Sequence, residues 1–193
     1  MKIVLTVTGA VWLIFELALI ARDRQSGRGG TGRDRGTRGL NIVLIVVAIL
    51  AADALAAAIG KHSPLRISGA GPYGWPFIAG LVIIWLGLVI RAWAVVVLGR
   101  SFRTTVEVDA AQPVVSRGPY RWVRHPSYTG LLIIAAGYGL ALGTWPGLAI
   151  CLVLPAAALL HRIQVEEAEL TRVLGDPYRD YRDHTKRLIP GVW

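Results

Sequence analysis

Two short stretches hold the side chains best suited to chemistry: 117–130, RGPYRWVRHPSYTG, and 164–170, QVEEAEL. His125 and Tyr128 offer imidazole and phenol hydrogen-bonding groups, Glu166 and Glu167 adjacent carboxylates, and Tyr120, Trp122 and Tyr128 aromatic surface. No nucleophile is paired with a base at a recognisable spacing. Ser127 and Thr129 flank Tyr128 in a predicted first helical turn, where hydroxyls commonly act as caps. His62, His125, His161 and His184 are scattered, and neither H-E-x-x-H nor a cysteine cluster is present, so no metal ligand set is expected. Gly-rich phosphate loops are also missing.

Each residue has a bland reading. Arg121 and Arg124 fit interfacial anchors, Trp122 and Tyr128 an aromatic belt, and Pro126 a first-turn proline. Glu166, Glu167 and Glu169 fit a solvated helix face with Arg162 and Arg172 as neighbours three or four residues away. What favours chemistry is where the elements between the two stretches must carry them.

Those elements are apolar. The chain has 193 residues, 54% hydrophobic and 17% charged, with a mean hydropathy of +0.51, which marks an integral membrane protein. The apolar runs 3–21, 40–59, 75–98, 128–142 and 145–160 predict an all-α fold of about five transmembrane helices. The first is as long as a span and no A-x-A cleavage pattern follows it, so it reads as a retained helix. The last two are short and joined by Gly143-Thr144-Trp145-Pro146, which predicts a tight antiparallel hairpin. Counting up and down that hairpin sets His125 level with about Gln164, with Glu166 and Glu167 less than one turn beyond. A break at Pro155 would rotate those last turns. The single thiol, Cys151, reads as packing material.

Charge sets the topology. The loops 22–39, 99–126 and 161–193 hold 17 of the Lys and Arg residues, whereas Lys2, Lys61 and Arg66 fall on the other side. This predicts an outside N-terminus, with the C-terminus and the polar stretches in the cytoplasm. It also accounts for the net charge of +9 without a nucleic-acid partner. The loop RDRQSGRGGTGRDRGTRG at 22–39 reads as a flexible cytosolic linker. Within the spans, Glu16 and Arg91 lie at similar depth and are expected to pair, a substrate-facing Arg91 being the alternative. Asp53 is expected to be hydrated near the outer surface. The chain divides into 1–116, three spans with the Arg/Gly-rich loop, and 117–193, the functional core.

RGPYRWVRHPSYTG, followed by EEAELTRVLGDPYRDYRDHTKRLIP, resembles the isoprenylcysteine carboxyl methyltransferase family, which sits with the phospholipid N-methyltransferases among membrane methyltransferases. The resemblance runs from about residue 117 to 190. It implies S-adenosylmethionine as cofactor, held on the cytosolic side by the hairpin and the C-terminal helices, and a lipophilic methyl acceptor arriving from the bilayer amid membrane lipids. Carried over by position, His125, Tyr128 and Glu167 are cofactor-binding with the backbone of Val123 and Arg124 near the cofactor, Glu166 faces the reaction centre as the other member of the acidic pair, and Arg187 lies near a substrate carboxylate. From their own placement rather than the resemblance, Tyr120 is expected on the cofactor's side of the pocket, and Arg91 and Trp122 are expected to touch substrate. An ionised carboxylate acceptor needs no general base and is well held by an arginine; with an amine or thiol acceptor, a Glu of the pair would accept a proton. The readings set beside this one are a phospholipid, amine or thiol methyltransferase, an NADPH-dependent membrane reductase sharing an R-H-P-x-Y element, and a non-catalytic membrane scaffold.

Overall fold

The computed structural model describes residues 2–25, 37–103, 108 and 112–193. Most of the Arg/Gly-rich stretch, 26–36, lies outside them. The described residues form six α-helices: α1 (Lys2–Gln25), α2 (Thr37–Ala58), α3 (Trp75–Leu98), α4 (Pro126–Ala141), α5 (Trp145–Leu174) and α6 (Asp176–His184). Short 3-10 turns follow α3 and precede α4. Helices α1, α2, α3 and α5 are long and apolar enough to cross a membrane. With 16 residues, α4 is shorter, about 24 Å, and packs between α3 and α5.

Glycine sets how α3 and α4 meet. Gly80 faces Gly137 and Gly87 faces Gly130; a Cβ added at any of the four would come within 2.8 Å of the opposing carbonyl oxygen. Small residues at this spacing let backbones approach in a medium where burial of apolar surface gives no net drive to associate. The contact fixes the register of α4 on α3 and brings Ser127 level with Arg91. On its other side, Gly139 lies against Leu148 of α5.

The bend 142–144 is built as the sequence predicts. Gly143 takes φ +70°, Thr144 is fully buried and its hydroxyl accepts from Gly147 N at 3.3 Å, and Pro146 sits in the first turn of α5. The loop after α2 is tied to this bend through Ile67 N to Gly143 O and Trp145 N to Leu65 O, both 3.0 Å. Arg66 closes the end of α2 by donating to the carbonyls of Ala56, Ile59 and Gly60.

Three expectations are corrected. The break allowed for at Pro155 does not occur: helix α5 runs through it without interruption to Leu174, about 45 Å in all, so its polar end is the same helix as the span. Ser127 and Thr129 do not cap α4: Ser127 Oγ accepts from Arg91, and Thr129 Oγ1 donates to the Leu188 carbonyl at 2.8 Å. Asp53 is exposed, as expected, but also accepts the Tyr138 hydroxyl at 2.6 Å.

Beyond α6 the chain returns to the start of α4. Val123 and Lys186 form an isolated parallel bridge, with Arg124 N donating to Lys186 O at 2.7 Å and His125 N to Arg187 O at 3.0 Å. The RHP and RLIP segments are thereby locked side by side.

Candidate active site

Because α5 continues as one helix, Glu166 and Glu167 project onto the first turn of α4 and the segment ahead of it. Tyr128 is the link on one side: its hydroxyl donates to Glu166 Oε2 at 2.6 Å and accepts from Arg162 Nε at 2.8 Å. Glu167 is the link on the other. It is 6% exposed, and its Oε1 takes Arg124 Nε at 2.9 Å and faces His125 Nε2 at 3.3 Å, while Oε2 takes Arg187 Nε at 3.1 Å. The His125 ring stacks on Tyr128, centroids 5.4 Å apart. A buried carboxylate is tolerable only with partners of this kind.

Beside this network lies a cavity of about 420 Å³. Its polar wall includes Tyr120, Arg124, His125, Tyr128, Arg162 and Glu166. Its apolar wall comes from Leu13, Leu17 and Ile20 of α1, Ile42, Ile45 and Val46 of α2, and Leu131 and Leu159. Such a volume and mixture suit a small ligand with one polar end. Between the two walls Arg91 reaches across the helices. It is 5% exposed, holds both Glu16 oxygens at 2.6 and 2.7 Å, and donates to Ser127 Oγ at 2.6 Å.

The expected residues separate into three groups. Arg124, His125, Tyr128, Glu166, Glu167 and Arg187 form the connected network, with Tyr120 on the cavity wall. Arg91 makes the expected pair with Glu16 and also lines the cavity. Val123 is buried with its backbone on Lys186, and Trp122 lies outside the cavity wall, 44% exposed, edge-on to Trp93 and beneath Arg121. The bland reading of Arg124 as an interfacial anchor is corrected: its guanidinium holds Glu167 and the carbonyls of Arg182 and Thr185.

Three contributors were not singled out from the sequence as site residues. Arg162 was read as a helix-face neighbour of Glu166, yet it is 5% exposed on the cavity wall. Tyr178 and Tyr181 of α6 also line the cavity; their signal was the G-x-x-Y-x-x-Y spacing. Burial drives the Tyr178 phenol well above its usual range, and its hydroxyl is buried without a partner. Tyr181 donates to Tyr120 O at 2.7 Å, and burial is the main cause of its rise to about 12. Among the described residues, no group of three or more His, Cys, Asp or Glu is placed to hold a metal ion.

Comparison with known proteins gives this arrangement relatives. Residues 79–172 match the family model described as Isoprenylcysteine carboxyl methyltransferase (ICMT) family. The chain is 30% identical over 126 residues to protein-S-isoprenylcysteine O-methyltransferase A of Arabidopsis thaliana, the match covering 64% of each chain. It is 33% identical over 114 residues to the Schizosaccharomyces pombe protein-S-isoprenylcysteine O-methyltransferase, covering 58% of this chain and 48% of the relative. Its fold resembles the solved structure of the eukaryotic intramembrane Ras methyltransferase ICMT, with a TM-score of 0.57 at 29% identity, over 61% of this chain and 43% of that one. The matched region thus spans less than two thirds of these relatives' own length. With its four long apolar helices and this neighbour, the chain is an integral membrane protein.

Proposed function

Starting from a chain that carries the isoprenylcysteine carboxyl methyltransferase family's signature over residues 79–172, we propose that it is an S-adenosylmethionine-dependent membrane methyltransferase acting on the carboxylate of a lipophilic, isoprenylcysteine-type acceptor. The observation that carries this reading is the cavity itself, apolar where α1 and α2 bound it and polar and arginine-bearing where α3, the segment ahead of α4 and α5 do. Arg91, Arg103, Arg124 and Arg162 line it, with Arg187 just behind, against Glu16, Glu166 and Glu167. This surplus of cations suits an anionic head group.

The wall fits the cofactor. The partnerless Tyr178 hydroxyl and the rings of Tyr120, Tyr178 and Tyr181 offer a hydrogen-bonding group and flat faces for a purine, and Glu166 offers an anion for a cation. When bound, the sulfonium supplies an electrophilic methyl group, so no protein nucleophile is needed. His125, Tyr128, Glu167 and the backbone of Val123 and Arg124 hold the cofactor, Glu166 faces the reacting groups, and Arg91 borders the acceptor's path. The helices exclude water and align the reactants. The excess of Lys and Arg in the loops at this end puts it and the C-terminus in the cytoplasm, with the N-terminus outside.

The test is calorimetry of the detergent-purified full chain with S-adenosylhomocysteine and, separately, NADPH, followed by transfer of labelled methyl to an S-prenylcysteine acid. Binding of S-adenosylhomocysteine and base-labile methyl ester are expected. NADPH binding alone would support a reductase, and binding of neither a scaffold; label found only in amine headgroups would remove the carboxylate from the proposal.

A further inference from the structure

Helix α3 measures depth in the membrane. Its 24 residues span about 36 Å against a hydrocarbon core of about 30 Å, so the core begins within about 6 Å of Leu98. Gly87 faces Gly130 across the seam, which sets Thr129 level with Leu88, ten residues short of that end. The Thr129 hydroxyl donates to the Leu188 carbonyl at 2.8 Å. Leu188 therefore lies about 10 Å or more inside the apolar length of α3, even after the reach of one side chain is subtracted. Direction agrees with depth. Gly118 sits against Val97 and Trp93 near the end of α3, so the chain from Gly118 to Pro126 runs inward. The Val123–Lys186 bridge is parallel, and residues 186–188 run inward beside it.

At Pro190 and Gly191 the chain turns back, with Gly191 at φ +75°. Val192 N and Trp193 N donate to Ile189 O at 3.1 and 3.2 Å, and Leu188 N and Ile189 N donate to Trp193 O at 2.9 and 2.8 Å. Pro190 has no N–H to satisfy. Bonding within the loop lowers the main cost that hydrocarbon sets on irregular backbone. The side chains suit lipid as well: Leu188 is buried against the protein, whereas Ile189, Val192 and Trp193 are 52%, 72% and 43% exposed.

We propose that residues 188–193 are a re-entrant loop whose Ile189, Val192 and Trp193 side chains insert among lipid acyl chains, so that the bilayer itself holds Arg187 against Glu167. Arg187 directly precedes the loop; its Nε donates to Glu167 Oε2 at 3.1 Å and its guanidinium lies 5.3 Å from the Trp193 ring centroid. Lys186, exposed and bridged to Val123, sits one step nearer the polar end, where its stem reaches toward the headgroups. Lipid thus becomes part of the clamp on the Glu167 hub. The inference rests on the membrane-spanning helices and on no particular reaction, so it stands or falls apart from the methyltransferase reading.

The test places a nitroxide on the full chain in phosphatidylcholine vesicles and compares its collisions with oxygen and with a water-soluble nickel chelate. Labels go at Val192→Cys, at Val89→Cys on the exposed face of α3 and at Asp180→Cys on the exposed face of α6. The wild type, whose one thiol is the buried Cys151, is the labelling blank. Expected at residue 192 is an oxygen-over-nickel ratio within about twofold of that at 89 and several-fold above that at 180, because the chelate stays out of the acyl region. A ratio like that at 180 overturns the proposal, since the loop then lies in water. Low collision with both reagents also overturns it, and points to a second copy or another protein covering the loop. The link to Arg187 is read with a label at Lys186→Cys, alone and combined with Val192→Asp. A charge at 192 should expel the loop and turn the spectrum at 186 from restricted to mobile; an unchanged spectrum overturns the link.

Discussion

The two sides of the cavity are built by opposite means. On the α3–α4 side, backbones touch: glycine meets glycine at two levels, and a single methyl group has no room. On the α1 side, the helix is largely exposed within the protein, with Thr8 and Leu19 its buried positions, and it is attached through side chains, chiefly Glu16 to Arg91 and Arg22 Nη2 to Gly99 O at 2.9 Å. A methyl transfer needs the cofactor's position fixed to a fraction of an ångström, whereas a lipophilic acceptor needs a wall that parts. Close packing supplies the first and a polar latch between helices the second.

The largest effect should come from filling the tight seam. In Gly130→Leu, the new Cβ would lie 2.8 Å from Gly87 O and 2.9 Å from Arg91 N, and backbone cannot yield as a side chain does. We expect a loss of about 3 kcal/mol or more and no recoverable activity, read as the midpoint of thermal unfolding in detergent and the yield of monodisperse protein. Near-normal melting would mean that α3 and α4 have slack, and the contrast with α1 would vanish.

Next is the hub on the same side. Glu167→Ala leaves Arg124, 8% exposed, without its anion and also releases Arg187. Breaking a buried pair in this way costs about 3–5 kcal/mol, and S-adenosylhomocysteine affinity should fall with it. If Glu167→Ala melts like the wild type yet no longer binds, the hub is a ligand site only and does not hold the RLIP segment in place.

On the open side, Glu16→Ala leaves Arg91 uncompensated within a span, a cost of about 2–3 kcal/mol. Replacing both partners, Glu16→Leu with Arg91→Leu, should recover most of that stability while acceptor KM stays raised, because the latch is gone though the charge is satisfied. If the double variant also restored KM, α1 would be a passive lipid-facing helix and not part of the acceptor's route.

How much of this is legible in the sequence follows from the range of the forces involved. Span lengths, the Gly143–Pro146 bend and the pairing of Glu16 with Arg91 are visible because hydrocarbon penalises a lone charge or an unsatisfied backbone wherever it occurs. The meeting of Tyr128 with Glu166 follows from counting residues along two antiparallel helices. Direction around the helix is harder. Arg162 and Glu166 lie four apart, which suits a solvated ion pair as well as a cavity wall; the unbroken run of α5 through Pro155 sets both on the cavity wall. Arg124 and Arg121 are equally basic on paper, but one holds Glu167 while the other stacks on Trp122 outside the cavity. That difference is set by the return of residues 185–188 alongside the RHP turn, a contact between segments some sixty residues apart.

The smallest expected effect lies on the α6 wall. The Tyr178 hydroxyl is buried in a residue 3% exposed and has no partner, so it gives up hydration without return. Tyr178→Phe should therefore leave the unliganded protein equally stable or more so, by about 1 kcal/mol at most. If the hydroxyl meets the cofactor, as the fit above requires, the same change should lower S-adenosylhomocysteine affinity about three- to tenfold, so the thermal shift at saturating ligand shrinks while the ligand-free midpoint holds or rises. Both changes in one variant would show a cavity wall that keeps an unpartnered polar group for its ligand, in contrast to the seam, where every close contact serves the fold. A lower ligand-free midpoint with unchanged affinity would reverse that assignment and make Tyr178 a structural residue of the C-terminal helices.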